Sequence, residues 1–141
     1  MSQASDYLEQ QILDHLFRTS TFAKPAVLFL ALYTVTPTDA GGGTEVATTL
    51  GGYQRYSMTP ANADWSNVTT GGTMSNIVVM SFEAAPISDW GVVVAFGIHD
   101  GSAASDTGNL LIWGPLTNNK TINAGDGTPE WGVGSFAITL A

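Results

Sequence analysis

The sequence predicts a mainly β domain, an antiparallel β-sandwich or jelly roll of about seven to eight strands with one N-terminal amphipathic helix. Three observations predict it. All 16 glycines lie after position 40, and threonine occurs 17 times, a mixture that suits strands and tight turns better than helices. Short apolar or alternating runs, separated by Gly, Asn and Asp, recur from residue 26 to residue 140. Helical periodicity is confined to residues 5–18, so no helices alternate with the strands as a parallel α/β sheet requires.

The helix comes first. Asp6 and Glu9 stand at the spacing of a capping box, and Ser5 is a rival N-cap. Leu8, Ile12, Leu13, Leu16 and Phe17 cover one half of the helical wheel, with Glu9 the one polar residue among them. Gln10, Gln11, Asp14 and Arg18 fill the other half. Thr19-Ser20-Thr21 and Pro25 end the helix. A helix this short is marginal in water on its own. Its stripe must therefore be buried, on the chain's own sandwich or against a neighbouring subunit, and the five apolar residues are candidate interface residues. Residues 1–24 are set apart as helix and linker, and residues 25–141 as the β-sandwich domain.

Strands follow. Ala26 to Thr34 is apolar on both faces and reads as a central buried strand. Tyr53 to Met58 alternates, and Ile77 to Phe82 is short and apolar. Trp90 to His99 carries Val92-Val93-Val94 and Phe96, interrupted by Gly97. Asn109 to Leu116 is apolar, a short strand is expected near Thr121-Ile122, and Trp131 to Leu140 alternates throughout. Gly41-Gly42-Gly43, Asn62-Ala63-Asp64, Gly71-Gly72, Asp100-Gly101, Asn118-Asn119 and Asn123 to Gly127 supply the turns between them.

Charge narrows the partners. Twelve acidic and four basic residues give a net charge of −8. Arg18, Lys24, Arg55 and Lys120 are scattered and form no basic stripe. Nucleic-acid binding, which relies on clustered Lys and Arg against phosphates, is therefore not expected, nor is an anionic membrane surface. The absence of Cys excludes a disulfide frame and a Cys-based zinc site. Met1 to Asp6 lacks the basic and apolar regions of a signal peptide. The longest apolar run, Pro25 to Tyr33, is about half a membrane span. Synthesis in a cytoplasm is the expectation.

Candidate chemistry is sparse. His15 and His99 are the two histidines, and no Gly-x-Ser-x-Gly elbow accompanies them. Asp39, Asp64, Asp100, Asp106 and Asp126 fall in turns, where Asp serves the backbone. Asp100 to Asp106 and Asp126 to Glu130 place oxygen atoms on loops, without the spacing of an EF-hand. The glycine clusters lack the lysine of a phosphate-binding loop. Trp65, Trp90, Trp113 and Trp131 could line a sugar-binding face, but their apolar neighbours favour core or subunit contacts. No enzyme, metal or cofactor is expected.

Several fragments carry a wider likeness. They are Leu13-Asp14-His15-Leu16-Phe17, Ala31-Leu32-Tyr33-Thr34, the block from Pro37 through Asp39-Ala40-Gly41-Gly42-Gly43-Thr44-Glu45-Val46, and Gly52-Tyr53-Gln54-Arg55. Trp90-Gly91, Phe96-Gly97-Ile98-His99-Asp100 and Gly108-Asn109-Leu110-Leu111 extend the set. Together, over about residues 6–140, they resemble a family of small tailed-bacteriophage virion proteins commonly labelled phage tail fibre proteins. Thr128-Pro129-Glu130-Trp131-Gly132 departs from that pattern. The resemblance implies a virion component made in the host cytoplasm, and it brings no catalytic residues and no cofactor. Within that class the expectation is a capsid decoration (cement) protein. It would self-associate as a trimer and contact the major capsid protein or a tail protein. The alternative is a short tail-fibre or head-spike protein that binds a host surface glycan or receptor.

Overall fold

A computed structural model of the chain describes residues 2–102 and 108–140. Asp106, one of the loop acids, lies outside them. Among the described residues there are ten strands and one helix: β1 (Gln3–Ala4), α1 (Asp6–Phe17), β2 (Leu28–Val35), β3 (Thr44–Glu45), β4 (Tyr56–Met58), β5 (Thr73–Ser75), β6 (Met80–Ser81), β7 (Gly91–His99), β8 (Leu110–Ile122), β9 (Glu130–Trp131) and β10 (Ala137–Thr139). All pairings are antiparallel. The main sheet runs β1-β8-β7-β2, and β3 and β4 share the far edge of β2. Two ribbons, β5 with β10 and β6 with β9, supply further strands of the fold.

The central strand behaves as its composition predicts. Leu30 and Leu32 of β2, opposite Ile98 and Phe96 of β7, join the main core. The intervening Ala31 and Tyr33, opposite Gly97 and Ala95, point to the other face, because side chains alternate along a strand. The main core continues through Val46, Tyr53, Met58, Met80, Phe82, Trp90, Ile122 and Phe136. Its aromatic rings meet edge to face, with centroids 4.9 Å apart for Phe96 and Phe136 and 5.2 Å for Tyr53 and Trp90, the arrangement favoured by the ring quadrupoles. Phe96 to Phe136 is also the contact that carries the core from the main sheet to the chain just before β10.

Ten strands replace the expected seven to eight because β1, β3 and β5, two or three residues each, are below what a periodicity window resolves, and because Trp131 to Leu140 divides into β9 and β10 while two expected strands merge in β8. The expected strand Trp131 to Leu140 is interrupted. Ser135 N–H bonds the Gly132 carbonyl at 3.1 Å, and Gly134 turns the chain at φ +73° while its N–H bonds the Asn76 carbonyl at 2.8 Å. Ile77 to Phe82 shrinks to β6, leaving Ile77 and Val79 exposed. The two expected segments Asn109 to Leu116 and Thr121-Ile122 are one strand, β8, broken in register rather than in direction.

The N-terminal residues also differ from expectation. Gln3 and Ala4 pair with Trp113 and Ile112 of β8. Ser2 Oγ donates to the Thr139 carbonyl and accepts from the Thr139 N–H, each at 2.7 Å. One short segment thus links the edge of the main sheet to β10. Ser5 then proves to be the N-cap, its hydroxyl accepting the Leu8 N–H at 3.2 Å, as its short polar side chain and extended backbone favour.

Candidate functional site

The five interface residues read from the sequence divide after the first helical turn. Asp6 N–H bonds the Asp39 carbonyl at 2.9 Å, and the helix packs on β1 and β8. Leu8 is buried there. Ile12, Leu13, Leu16 and Phe17 are 39%, 57%, 65% and 81% exposed. The chain's own sandwich does not take up the stripe beyond Leu8. Four apolar side chains at helical spacing therefore form an open face, larger and more contiguous than the scattered apolar residues normal on a surface. Beyond it the helix ends with Arg18 N–H on the Asp14 carbonyl, and Phe22 N–H bonds His15 Nδ1 at 3.3 Å.

A second cluster is buried and polar. Arg55 grips Glu45 through two hydrogen bonds, Nε to Oε1 at 2.9 Å and Nη2 to Oε2 at 2.8 Å, and Nη1 bonds the Gly101 carbonyl at 2.7 Å. The Tyr53 hydroxyl donates to Glu45 Oε1 at 2.8 Å and accepts the Leu32 N–H at 3.0 Å. Leu32 lies where β4 has ended and β3 has not begun along β2, so the hydroxyl satisfies a backbone donor that lacks a strand partner there. Tyr33 Oη and His99 Nε2 stand 2.8 Å apart, with their rings stacked. Burial first, and then the charge of Glu45, push the Tyr33 hydroxyl up to about 12 and raise Tyr53 as well. Burial works against the Arg55 charge, but hydrogen bonding and the charge of Glu45 outweigh it, and the net shift is upward. The arrangement cross-links β2, β3, the segment before β4 and the loop after β7.

Two of the loop acids, Asp100 and Asp126, serve the backbone in the same way. Asp100 accepts from the Asn109 N–H and from Asn109 Nδ2, the latter at 3.0 Å. Asp126 Oδ2 accepts the Asn123 N–H at 2.8 Å. Among the described residues no group of three or more His, Cys, Asp or Glu is placed to hold a metal ion. No helix among them is long and apolar enough to cross a membrane.

One concave feature was missed from the sequence. A cavity of about 580 Å³ opens between the second half of β8 and the chain from Pro129 to Thr139, with Ser2 at its rim. Its apolar lining includes the buried Leu32, Val93, Phe96 and Phe136 and the half-buried Trp131. Its polar lining includes Thr117, Asn118, Lys120, Glu130 and Ser135. A smaller hollow of about 380 Å³ shares Lys120, Ile122, Pro129 and Glu130 with it and continues to Asp126. The cause is a break in the β7–β8 ladder. Val93 faces Lys120 and Ala95 faces Pro115, so two steps on β7 match five on β8. The surplus of three residues falls within Leu116 to Asn119, of which Leu116 packs against the core and Thr117, Asn118 and Asn119 are exposed, as happens where a bulged strand re-aims its side chains. The sequence signal was present in Pro115 and the polar run Thr117-Asn118-Asn119-Lys120 after an apolar strand. The opposite wall is held by Asn76, which is buried with Nδ2 on the Val78 and Gly132 carbonyls at 2.7 and 2.9 Å and Oδ1 on the Phe136 N–H at 2.9 Å.

The tryptophans follow the core reading in part. Trp90 is buried, its indole N–H on the Gly51 carbonyl at 3.3 Å, and Trp65 and Trp131 pack against the core. Trp113 instead bonds Asp39 Oδ1 at 3.2 Å beside the helix start.

No curated protein matches the chain. A family model described as podophage GP4 fiber I protein gp80 matches residues 3–139, which takes in β1, the helix, every strand of the main sheet and both ribbons. On that match the chain belongs to the podophage GP4 fiber I protein gp80 family, a family of phage structural proteins of the fibre type.

Proposed function

We propose that the chain is a non-enzymatic module of a short phage fibre. In this reading its N-terminal helix face attaches it to further copies of itself or to another virion protein, and the β domain is displayed. The fibre reading takes precedence over capsid decoration because the family match is to a fibre protein over nearly the whole chain. The single observation that carries the attachment role is the open face of Ile12, Leu13, Leu16 and Phe17. Their exposure amounts to roughly two and a half apolar side chains, so covering the face contributes on the order of 4–7 kcal/mol before the costs of association. A trimer is the expected assembly, since cyclic symmetry lets one apolar patch bury itself against its copies. The non-enzymatic reading is supported by the uses already made of the reactive groups: His99 pairs with Tyr33, and Asp100 and Asp126 close loops.

The test replaces Leu16 and Phe17 with Gln together. Both side chains are mostly exposed, so the variant folds with a melting temperature within about 3 °C of the parent. It is expected to run as a monomer by light scattering and to be missing from particles. A variant that still self-associates and still reaches the particle refutes the attachment role. Cryo-EM of the particle decides fibre against capsid by position and copy number.

A further inference from the structure

We propose that the groove between β8 and residues 129–139 is a binding site for a neutral glycan, an inference that rests on the fibre reading and names the chemistry of its contact. Sugars present two kinds of surface, apolar C–H faces and hydroxyls that both donate and accept. The groove offers both in one place. Trp131 lines it together with Phe96 and Phe136. Asn118 has amide donors and an acceptor, Lys120 donates and Glu130 accepts, all on the lining. The volume of about 580 Å³ lies within the range of small-molecule sites, and its continuation toward Asp126 leaves room for more than one sugar unit.

Two other occupants fit less well. A lipid or detergent chain would make no use of the amide, ammonium and carboxylate groups on the lining. An extended peptide would add itself to a free strand edge, but the edge of β8 here begins with Pro115, which has no N–H, and continues into the unpaired bulge Leu116 to Asn119. Proline and bulges at an edge block strand addition. The charge supports a neutral rather than an acidic glycan. The groove's one lysine faces a lining that includes Glu130 and Asp126, and the chain carries a net charge of −8. The bulge supplies the independent geometric support. Thr117, Asn118 and Asn119 are exposed and are held out of the ladder at the cost of regular pairing, which a purely structural strand has no reason to give up.

The experiment screens the intact protein on an array of neutral and acidic oligosaccharides. The strongest neutral binder is then titrated by calorimetry, and the indole N–H signals are followed by nuclear magnetic resonance. Asn118→Ala and Lys120→Ala are the test variants, because both side chains are exposed and neither supports the core. The expected result is binding of at least one neutral oligosaccharide with a shift of the Trp131 signal, weakened about tenfold in each variant with unchanged melting temperature. No neutral binder, a preference for acidic glycans, or affinity unaltered in both variants overturns the proposal. Particle location is read separately. A protein found in the fibre that binds no neutral glycan refutes this inference alone, whereas a protein found on the capsid shell refutes the fibre reading on which it rests.

Discussion

Replacing Arg55 with Ala tests whether the buried polar cluster holds the sheet edge together. The Arg55 and Glu45 side chains are only 4% and 9% exposed and are joined by two hydrogen bonds. The substitution removes both, and also the bond to the Gly101 carbonyl that tethers the loop after β7. Glu45 is left as a buried carboxylate, with the Tyr53 hydroxyl as its remaining side-chain donor. Breaking a buried pair from one side costs about 3–5 kcal/mol, because the surviving charge keeps its desolvation penalty without its partner. That is a large share of the roughly 5–15 kcal/mol by which such domains are stable. For a chain of this length it corresponds to a fall in melting temperature of about 10–15 °C. The assay is thermal unfolding followed by circular dichroism, with Glu45→Gln alone and Arg55→Ala combined with Glu45→Gln as companions. The double variant has no stranded charge and should lose less than the sum of the two single losses, by at least about 2 kcal/mol. Loss of less than about 1 kcal/mol in Arg55→Ala, or simple additivity in the double variant, refutes the reasoning.

Asn76→Ala should cost about 3 kcal/mol in urea unfolding, since it strands the Phe136 N–H and two carbonyls inside the wall of the groove; a cost below about 1 kcal/mol shows that water replaces the amide. Alkaline pH should destabilise the fold. Tyr33 is raised in the folded chain to about 12 from an ordinary 10.0, so its stabilising contribution is complete below pH 10 and is lost as pH climbs toward 12. The loss from Tyr33 is at most about 3 kcal/mol, and Tyr53 acts in the same direction. Tyrosinate absorbance should rise in step with loss of near-ultraviolet circular dichroism, and ionisation of all four tyrosines in a still-folded protein contradicts this.

Legibility followed the physics of each element. The strands β2 and β7 were readable because a strand buried on both faces must be apolar throughout, and Leu30 to Tyr33 is. The helix was readable from its caps and its 3.6-residue period. Its partner was not, because periodicity reports that a face is apolar and not what covers it. The run Trp131 to Leu140 misled because its alternation is real, yet Gly132 and Gly134 turn the chain within it. The groove was hidden for a different reason. It arises from a register mismatch between β7 and β8, and register is a property of two strands together. The fragments Ala31-Leu32-Tyr33-Thr34, Thr44-Glu45-Val46 and Gly52-Tyr53-Gln54-Arg55, which suggested the family, lie far apart in the chain and meet in one network of hydrogen bonds. They mark a structural joint, and this is why they named a fold and a family without naming a chemistry.

The edges of the main sheet bear on how such a module assembles. A sheet with an open edge invites another strand, and repeated copies would then grow without limit. Here each edge is blunted. Along β2 the outer positions are shared by two short strands, β3 and β4, and the gap between them is closed by the Tyr53 hydroxyl and by the Val46 N–H on the Leu32 carbonyl. Along β8 the first half is covered by β1 and the second half is broken by Pro115 and the bulge. Growth by strand addition is therefore disfavoured on both sides, and the surface best suited to bury apolar area against a neighbour is the helix face. The helix is anchored where β8 begins, through Ser5 on the Leu111 carbonyl, and the groove lies along the later half of the same strand. Under the reading proposed above, attachment through the first end would leave the second free, and a single bulged strand would separate the attaching part of the molecule from the part that meets a ligand.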